Sequence, residues 1–104
     1  MMIHIKETYI DRNFDCTYGD SEVYETYTDS IGELFKDLQV QFGRCVSSMY
    51  MDKKDGTTKK IGWVFEKKNH YTNSDETYMQ ETWIELHKTK PKKTIEYDLL
   101  EMSV

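Results

Sequence analysis

The sequence lacks several features that define common classes of small protein. It contains no alanine, one proline and only two arginines among 104 residues. Because alanine is the strongest helix former, its absence disfavours a helix bundle. The two cysteines, Cys16 and Cys45, are too few for the disulfide framework of a small secreted domain, and they match no zinc-binding pattern. We therefore expect reduced thiols and no zinc site.

Long apolar segments are also missing. No apolar run exceeds four residues, whereas a membrane-spanning helix requires roughly 20. The first ten residues, MMIHIKETYI, have no continuous apolar region of the kind found in secretory signals. These absences predict a protein that stays in the cytoplasm and binds no membrane.

The abundant residues are those that form strands. Val, Ile, Thr, Tyr, Phe and Trp together account for 37 of the 104 residues. Residues 11–21, rich in Asp, Asn, Gly and Ser, predict a turn or loop. Alternating apolar and polar side chains and aromatic enrichment predict strands at 2–10, 22–28, 44–52, 59–68 and 76–88, with an edge strand at 94–100.

One segment has the periodicity of a helix. Ser30 and Glu33 match a capping box, in which each side chain satisfies a backbone N–H near the helix start. Gly43 stands where a left-handed C-terminal cap is favourable. These signals predict a helix over 31–42. Its apolar stripe consists of Ile31, Leu34, Phe35, Leu38 and Phe42.

Together these elements predict a single α+β domain over residues 1–104. The order β-β-α-β-β-β, with the optional edge strand after it, favours a mostly antiparallel sheet of five or six strands with the helix packed on one face. The predicted core consists of Ile3, Ile5, Leu34, Phe35, Leu38, Phe42, Val46, Trp63, Phe65 and Ile84.

Charge is distributed unevenly along the chain. The net charge of -5 comprises -6 in residues 1–52, +4 in 53–93 and -3 in 94–104. The acidic average disfavours attraction of the whole molecule to nucleic acid, but the segments permit two opposite binding faces. The predicted acidic face consists of Asp11, Asp15, Asp20, Glu22 and Glu25. The predicted basic hairpin consists of Lys53, Lys54, Lys59, Lys60, Lys67 and Lys68.

Each charged segment has more than one interpretation. The lysines are consistent with a solvated hairpin whose charges protect strand edges, with phosphate contacts to RNA or DNA, or with contacts to an acidic protein. The carboxylates are consistent with ordinary solubility, or with imitation of phosphates in the nucleic-acid channel of another protein. Candidate aromatic anchors for a partner are Trp63, Tyr71, Tyr78 and Trp83.

No signature of catalysis is present in the sequence. It has no nucleophile elbow, P-loop, HExxH motif or dinucleotide-binding motif. We therefore predict a protein that is not an enzyme, with no catalytic residue, no metal and no cofactor. The enzymatic alternative is a nuclease that combines one of the three histidines with a carboxylate. The carboxylates nearest in sequence are Glu66, Glu81 and Glu85.

Three segments within residues 30–88 carry a resemblance: IGELFKDLQVQFGRC, KKIGWVFEKKNHY and ETYMQETWIELHK. A helix that leads into a Gly-Trp-Val-Phe-Glu-Lys strand and a Glu-Thr-Trp strand resembles small proteins encoded by phages and prophages. In this chain those strands are Ile61 to Lys68 and Glu81 to Leu86. Such small proteins include the type II anti-CRISPR proteins, which inhibit the nuclease Cas9.

The resemblance implies a phage-encoded protein that evades antiviral defence in the cytoplasm of the host cell. It implies stoichiometric binding to Cas9 or its guide RNA, with interference in guide-RNA loading or assembly as the preferred mode. The alternatives are a small RNA- or DNA-binding phage protein that uses the lysine-rich hairpin, and a nuclease that acts on guide RNA. Exposed strand edges can also pair with a second copy, so a homodimer is compatible with the sequence.

Overall fold

A computed structural model describes residues 1–13, 16–17 and 21–90. The helix α1 spans Ile31–Phe42, the range that the sequence predicts. The other elements are strands, which are β1 (Met2–Asp11), β2 (Cys16–Thr17), β3 (Glu22–Tyr27), β4 (Arg44–Asp52), β5 (Thr58–His70) and β6 (Thr77–His87). The short strand β2 falls within a segment predicted to be a loop, and the predicted strand at 94–100 lies outside the described residues.

The strands form one antiparallel sheet, which confirms the predicted α+β class. The order across the sheet is β1, β6, β5, β4, and the free side of β1 pairs with β3 along its first half and with β2 at its end. The longest strands, β5 and β6, therefore lie inside the sheet, where both neighbours satisfy their backbone groups. Consecutive residues on each strand point to opposite faces.

Ser30 and Gly43 cap the helix at the predicted positions, but Gly43 has ψ -149° and so lies outside the predicted left-handed helical region. The Ser30 side chain accepts a hydrogen bond from the Glu33 N–H at 3.1 Å. At the other end Gly43 has φ +95°, and its N–H donates to the Gln39 carbonyl at 2.9 Å. A side chain at Gly43 would also collide with the Glu66 backbone, so glycine is required there for both conformation and space. In the part of the chain that the structure describes, no helix is long and apolar enough to cross a membrane.

The helix packs on one face of the sheet, which we call the helix face. Most of the predicted core is buried there, together with Leu86, which the prediction omitted. Phe35 is partly buried against this core, and its ring centroid lies 5.1 Å from that of Trp63. Val46 is a wrong core prediction, because it is 40% exposed. It lies at a register shift between Cys45 and Ser47, where the edge strand bulges and the alternation of faces is interrupted.

The opposite side of the sheet, which we call the open face, has no helix or strand over it within residues 1–13, 16–17 and 21–90. Its middle row consists of Thr8, Trp83 and Val64, which are register partners on β1, β6 and β5. The two faces therefore differ, because α1 covers one, whereas on the other Trp83 is 38% exposed and its same-face neighbours Val64 and His87 are buried.

Candidate protein-binding surface

Trp83 occupies the middle of the open face. Its indole N–H donates to the Glu81 carboxylate at 3.1 Å, and 38% of the residue is exposed. Its strand β6 has a neighbour on each side, so the indole stands on a backbone that is held along its length. A large aromatic group that is held in place and partly exposed is typical of the residues that dominate protein-protein binding energies.

A network of ion pairs lies beside the indole. Arg12 is 2.6 Å from Glu66 and 3.2 Å from Glu81, and Arg44 is 2.5 Å from Glu66. Both arginines of the chain therefore converge on one carboxylate. The hydrogen bond from Arg44, with the charges of both guanidinium groups, lowers the pKa of Glu66. The network fixes charged groups around an aromatic centre, which is the arrangement of a protein interface with an apolar middle and a polar rim.

The other end of the open face carries a further ion pair, a contact between a histidine and a carboxylate, and a groove. Lys6 lies 3.7 Å from Glu85, and the ring of His4 lies 3.6 Å from Glu25 on β3. A groove of about 350 Å³ at this edge is lined by His4, Val23, Tyr24, Glu25 and Lys90. Basic and acidic side chains therefore alternate across this end of the face.

The four predicted aromatic anchors are not on one surface. Trp63 is only 1% exposed and packs against Phe35, so its prediction as a surface anchor is wrong. Trp63 and Phe65 are two residues apart on β5, so both side chains point to the helix face. Tyr71 and Tyr78 stack with centroids 4.7 Å apart beside the helix face. Trp83 stands on the open face, separate from this tyrosine pair.

The predicted basic hairpin does not form a single basic face. Lys59 and Lys60 are consecutive on β5 and so point to opposite faces, and the same holds for Lys67 and Lys68. The two pairs are eight residues apart, a separation of roughly 26 Å along the strand. Lys53 and Lys54 lie at the β4–β5 turn, where the Lys53 N–H donates to the Thr57 carbonyl at 2.7 Å.

The predicted acidic face is likewise divided. Asp11 is only 1% exposed and accepts hydrogen bonds from the Tyr71 hydroxyl and the Asn13 N–H, both at 2.9 Å. The prediction of Asp11 as an exposed binding residue is wrong, because its side chain points to the same face of β1 as the buried Ile3 and Ile5. Glu22 and Glu25 are exposed but lie on opposite faces of β3. Two further residues of the predicted set lie outside those described by the structure, namely Asp15 and Asp20.

A buried carboxylate that the sequence analysis missed lies at the edge of the core. Glu7 is 3% exposed and accepts hydrogen bonds from the hydroxyls of Tyr9 and Tyr24. Burial, followed by these hydrogen bonds, raises the pKa of both tyrosines. The sequence could have predicted this burial, because Ile3, Ile5 and Glu7 are spaced two residues apart and so point to the same face of β1.

Of the carboxylates named for a nuclease, Glu85 lies on the same face of β6 as His87, two residues before it, whereas the other two lie apart from His4 and His87. His4 and His87 are register partners at one end of the sheet, whereas Glu66 and Glu81 are register partners further along. His87 is fully buried, and burial lowers its pKa to about 4, with further contributions from Lys6 and His4. Among the residues that the structure describes, no group of three or more His, Cys, Asp or Glu side chains is placed to hold a metal.

Comparison of the chain with protein-family models, with curated proteins and with solved structures finds no match.

Proposed function

We propose that this chain is a phage-encoded anti-CRISPR protein that inhibits Cas9 by stoichiometric binding through its open face. The choice of Cas9 comes from the resemblance of residues 30–88 to small phage proteins. The choice of surface comes from Trp83, which is exposed at the middle of a sheet face and flanked by ion pairs. This combination of a rigid aromatic group and a charged rim is the single observation that carries the binding proposal.

The proposed mode of inhibition is interference with guide-RNA loading. The guide-binding surfaces of Cas9 are positively charged because they hold a nucleic-acid backbone. The open face offers the partly exposed carboxylates of Glu66, Glu81 and Glu85, each already oriented by an arginine or lysine. Such pre-oriented carboxylates can exchange their intramolecular cations for lysines or arginines of the partner. Charge complementarity of this kind accelerates association and fixes orientation.

The proposal is tested by native gel and size-exclusion chromatography with purified Cas9, with and without guide RNA. We expect a one-to-one complex with Cas9 lacking guide RNA, and loss of target-DNA cleavage when the protein is added before the guide. Trp83→Ala should weaken the complex by about 30-fold, as expected for a hot-spot residue. Absence of a complex with either form of Cas9, together with undiminished cleavage, would contradict the proposal.

The control is Val40→Ala. Val40 is 87% exposed on the helix, on the other side of the molecule from Trp83, so the substitution removes exposed apolar area without touching the open face. Thermal unfolding of both variants separates loss of binding from loss of folding. Equal weakening of Cas9 binding by the two substitutions would reject the assignment of the surface.

The alternative of a nucleic-acid-binding protein is favoured by one observation. Four lysines of the predicted basic hairpin lie at or beside a single turn, with Lys59 and Lys60 opposite Met51 and Tyr50 at the ends of the paired strands. If this turn binds RNA, affinity should fall steeply with salt and be abolished in the Lys59→Glu, Lys60→Glu double variant.

The nuclease alternative is tested by incubating the protein with guide RNA in Mg²⁺ or in EDTA. Guide RNA that remains intact rejects it.

A further inference from the structure

A cavity lies beside the helix face, at the end of the sheet opposite His4 and His87. It has a volume of about 420 Å³ and is lined by Tyr9, His70, Tyr71, Thr72, Tyr78 and Gln80. The volume falls within the range of pockets that hold small ligands. Three of the six lining residues are tyrosines, so aromatic rings form much of the cavity wall.

Two of these rings are hydrogen-bonded to buried carboxylates. Tyr9 donates its hydroxyl proton to Glu7, and Tyr71 donates to Asp11 at 2.9 Å. Both carboxylates are at most 3% exposed. A phenol that donates to a carboxylate gains electron density, which makes the face of its ring more attractive to a cation. The two carboxylates also place negative charge behind the lining in a region of low dielectric.

The third tyrosine and the amide are held in place by their neighbours. Tyr78 stacks on Tyr71 with an angle of 29° between the rings. Gln80 accepts from the Asn69 amide at 2.7 Å and from the Tyr78 hydroxyl at 3.3 Å, and its own amide donates to Thr82 at 3.3 Å. The lining is therefore organised before any ligand binds, which reduces the entropy cost of binding.

The charged groups around the cavity are mainly acidic. Burial and the hydrogen bond to Asp11, with the charges of Asp11 and Glu76, raise the pKa of Tyr71. Lys67, the register partner of Gln80, brings one positive group to the same face, and its side chain is exposed to solvent. A positively charged ligand is thus favoured over a neutral one.

We propose that this cavity is a binding site for an organic cation, either an alkylated ammonium or a guanidinium group. Aromatic rings backed by carboxylates recognise such groups through their weak hydration and delocalised charge. The site lies on the helix face and is independent of the open face assigned above. The cation can be a free small molecule or the side chain of an arginine, and the two sources share the chemistry of recognition.

The test is a titration of the ¹⁵N-labelled protein by NMR with choline, and in parallel with its neutral isostere 3,3-dimethylbutan-1-ol. We expect choline to shift the amide signals of Tyr71, Thr72 and Gln80 with a millimolar Kd, and the neutral isostere to bind about tenfold more weakly. N-acetyl-arginine methylamide and its citrulline counterpart form the second pair. Stronger binding of the arginine compound than of choline identifies a protein side chain as the ligand, and the reverse identifies a free ammonium compound.

Three variants locate the site. Tyr78→Leu removes a lining ring and should weaken cation binding about tenfold. Tyr71→Phe keeps the ring but removes the hydrogen bond to Asp11, and should give a smaller loss. Tyr50→Leu removes a tyrosine that is 61% exposed on β4 and should leave binding unchanged. Equal affinity for cations and isosteres, shifts confined to other regions, or no binding of either cation would each overturn the proposal.

Discussion

Gly62 and Ile84 approach so closely that no side chain fits between their strands. A Cβ atom on Gly62 would overlap the carbonyl group of Ile84 on β6 and would lie 3.2 Å from the Cα atom of Glu85. The obstacle is backbone on an interior strand, which cannot move aside without breaking the ladder between β5 and β6. Glycine at this position therefore permits the close approach of β5 and β6, the strands that carry Trp63 and Trp83.

We predict that Gly62→Ala destabilises the protein by at least about 2 kcal/mol, because the backbone overlap resembles severe overpacking. The matched control is Gly32→Ala in the first turn of the helix, where a Cβ atom would meet only the Ser30 Oγ atom at 4.0 Å. This control should stabilise the protein by about 0.5–1 kcal/mol, since alanine is the better helix former. Urea unfolding measures the free energy of unfolding of both variants. A Gly62→Ala variant as stable as the unmodified protein would contradict the close approach of β5 and β6.

The buried pair of hydrogen bonds to Glu7 gives a second prediction. Glu7→Ala removes the acceptor of the Tyr9 and Tyr24 hydroxyls, so we expect a loss of about 2–3 kcal/mol in the free energy of unfolding. Glu7→Gln keeps an acceptor and should cost less. In the Tyr24→Phe background the effect of Glu7→Ala should shrink, because one of the two donors is already gone. Additive effects of Glu7→Ala and Tyr24→Phe in urea unfolding would show that the two side chains are not coupled.

His87 gives a prediction for the dependence of stability on pH. Its pKa is about 4 in the folded protein against an ordinary value of 6.5, so between these values the unfolded chain binds more protons. Stability must therefore fall as the pH is lowered through this window, and the loss between pH 7 and pH 5 is about 2 kcal/mol. This loss is measured as the difference between the free energies of unfolding at pH 7 and at pH 5. His87→Leu should remove most of the difference, and an unchanged difference in that variant would assign the effect to other groups.

The sequence predicts the elements well because their signals are local. Ser30, Glu33 and Gly43 define both ends of the helix, and the helix begins and ends where they indicate. The alternation Ile3, Ile5 identifies the buried face of β1. Features that depend on strand pairing were not predicted. The two-residue strand β2 has no pattern of its own, and the exposure of Val46 follows from a register shift that only the paired strands reveal.

The candidate sites show the same division. Consecutive lysines such as Lys59 and Lys60 point to opposite faces because of the two-residue period of a strand, so their separation could have been derived from the predicted strand. Trp63 could have been recognised as internal from its phase with Phe65. By contrast, the meeting of Arg12 with Glu66, and of Tyr71 with Asp11, joins residues 54 and 60 positions apart in the chain. Such contacts depend on the order of the strands, which the predicted elements leave open.

The most direct test of the central proposal is a titration of Cas9 with this protein before guide RNA is added, with target-DNA cleavage as the readout. We predict that cleavage falls linearly with the amount of protein added and stops at one equivalent per Cas9. Addition after the guide RNA has bound should leave cleavage intact. Trp83→Ala should need a large excess to inhibit, whereas Val40→Ala should inhibit like the parent protein. Cleavage that persists when a large excess of the unmodified protein is added before the guide RNA would contradict the account.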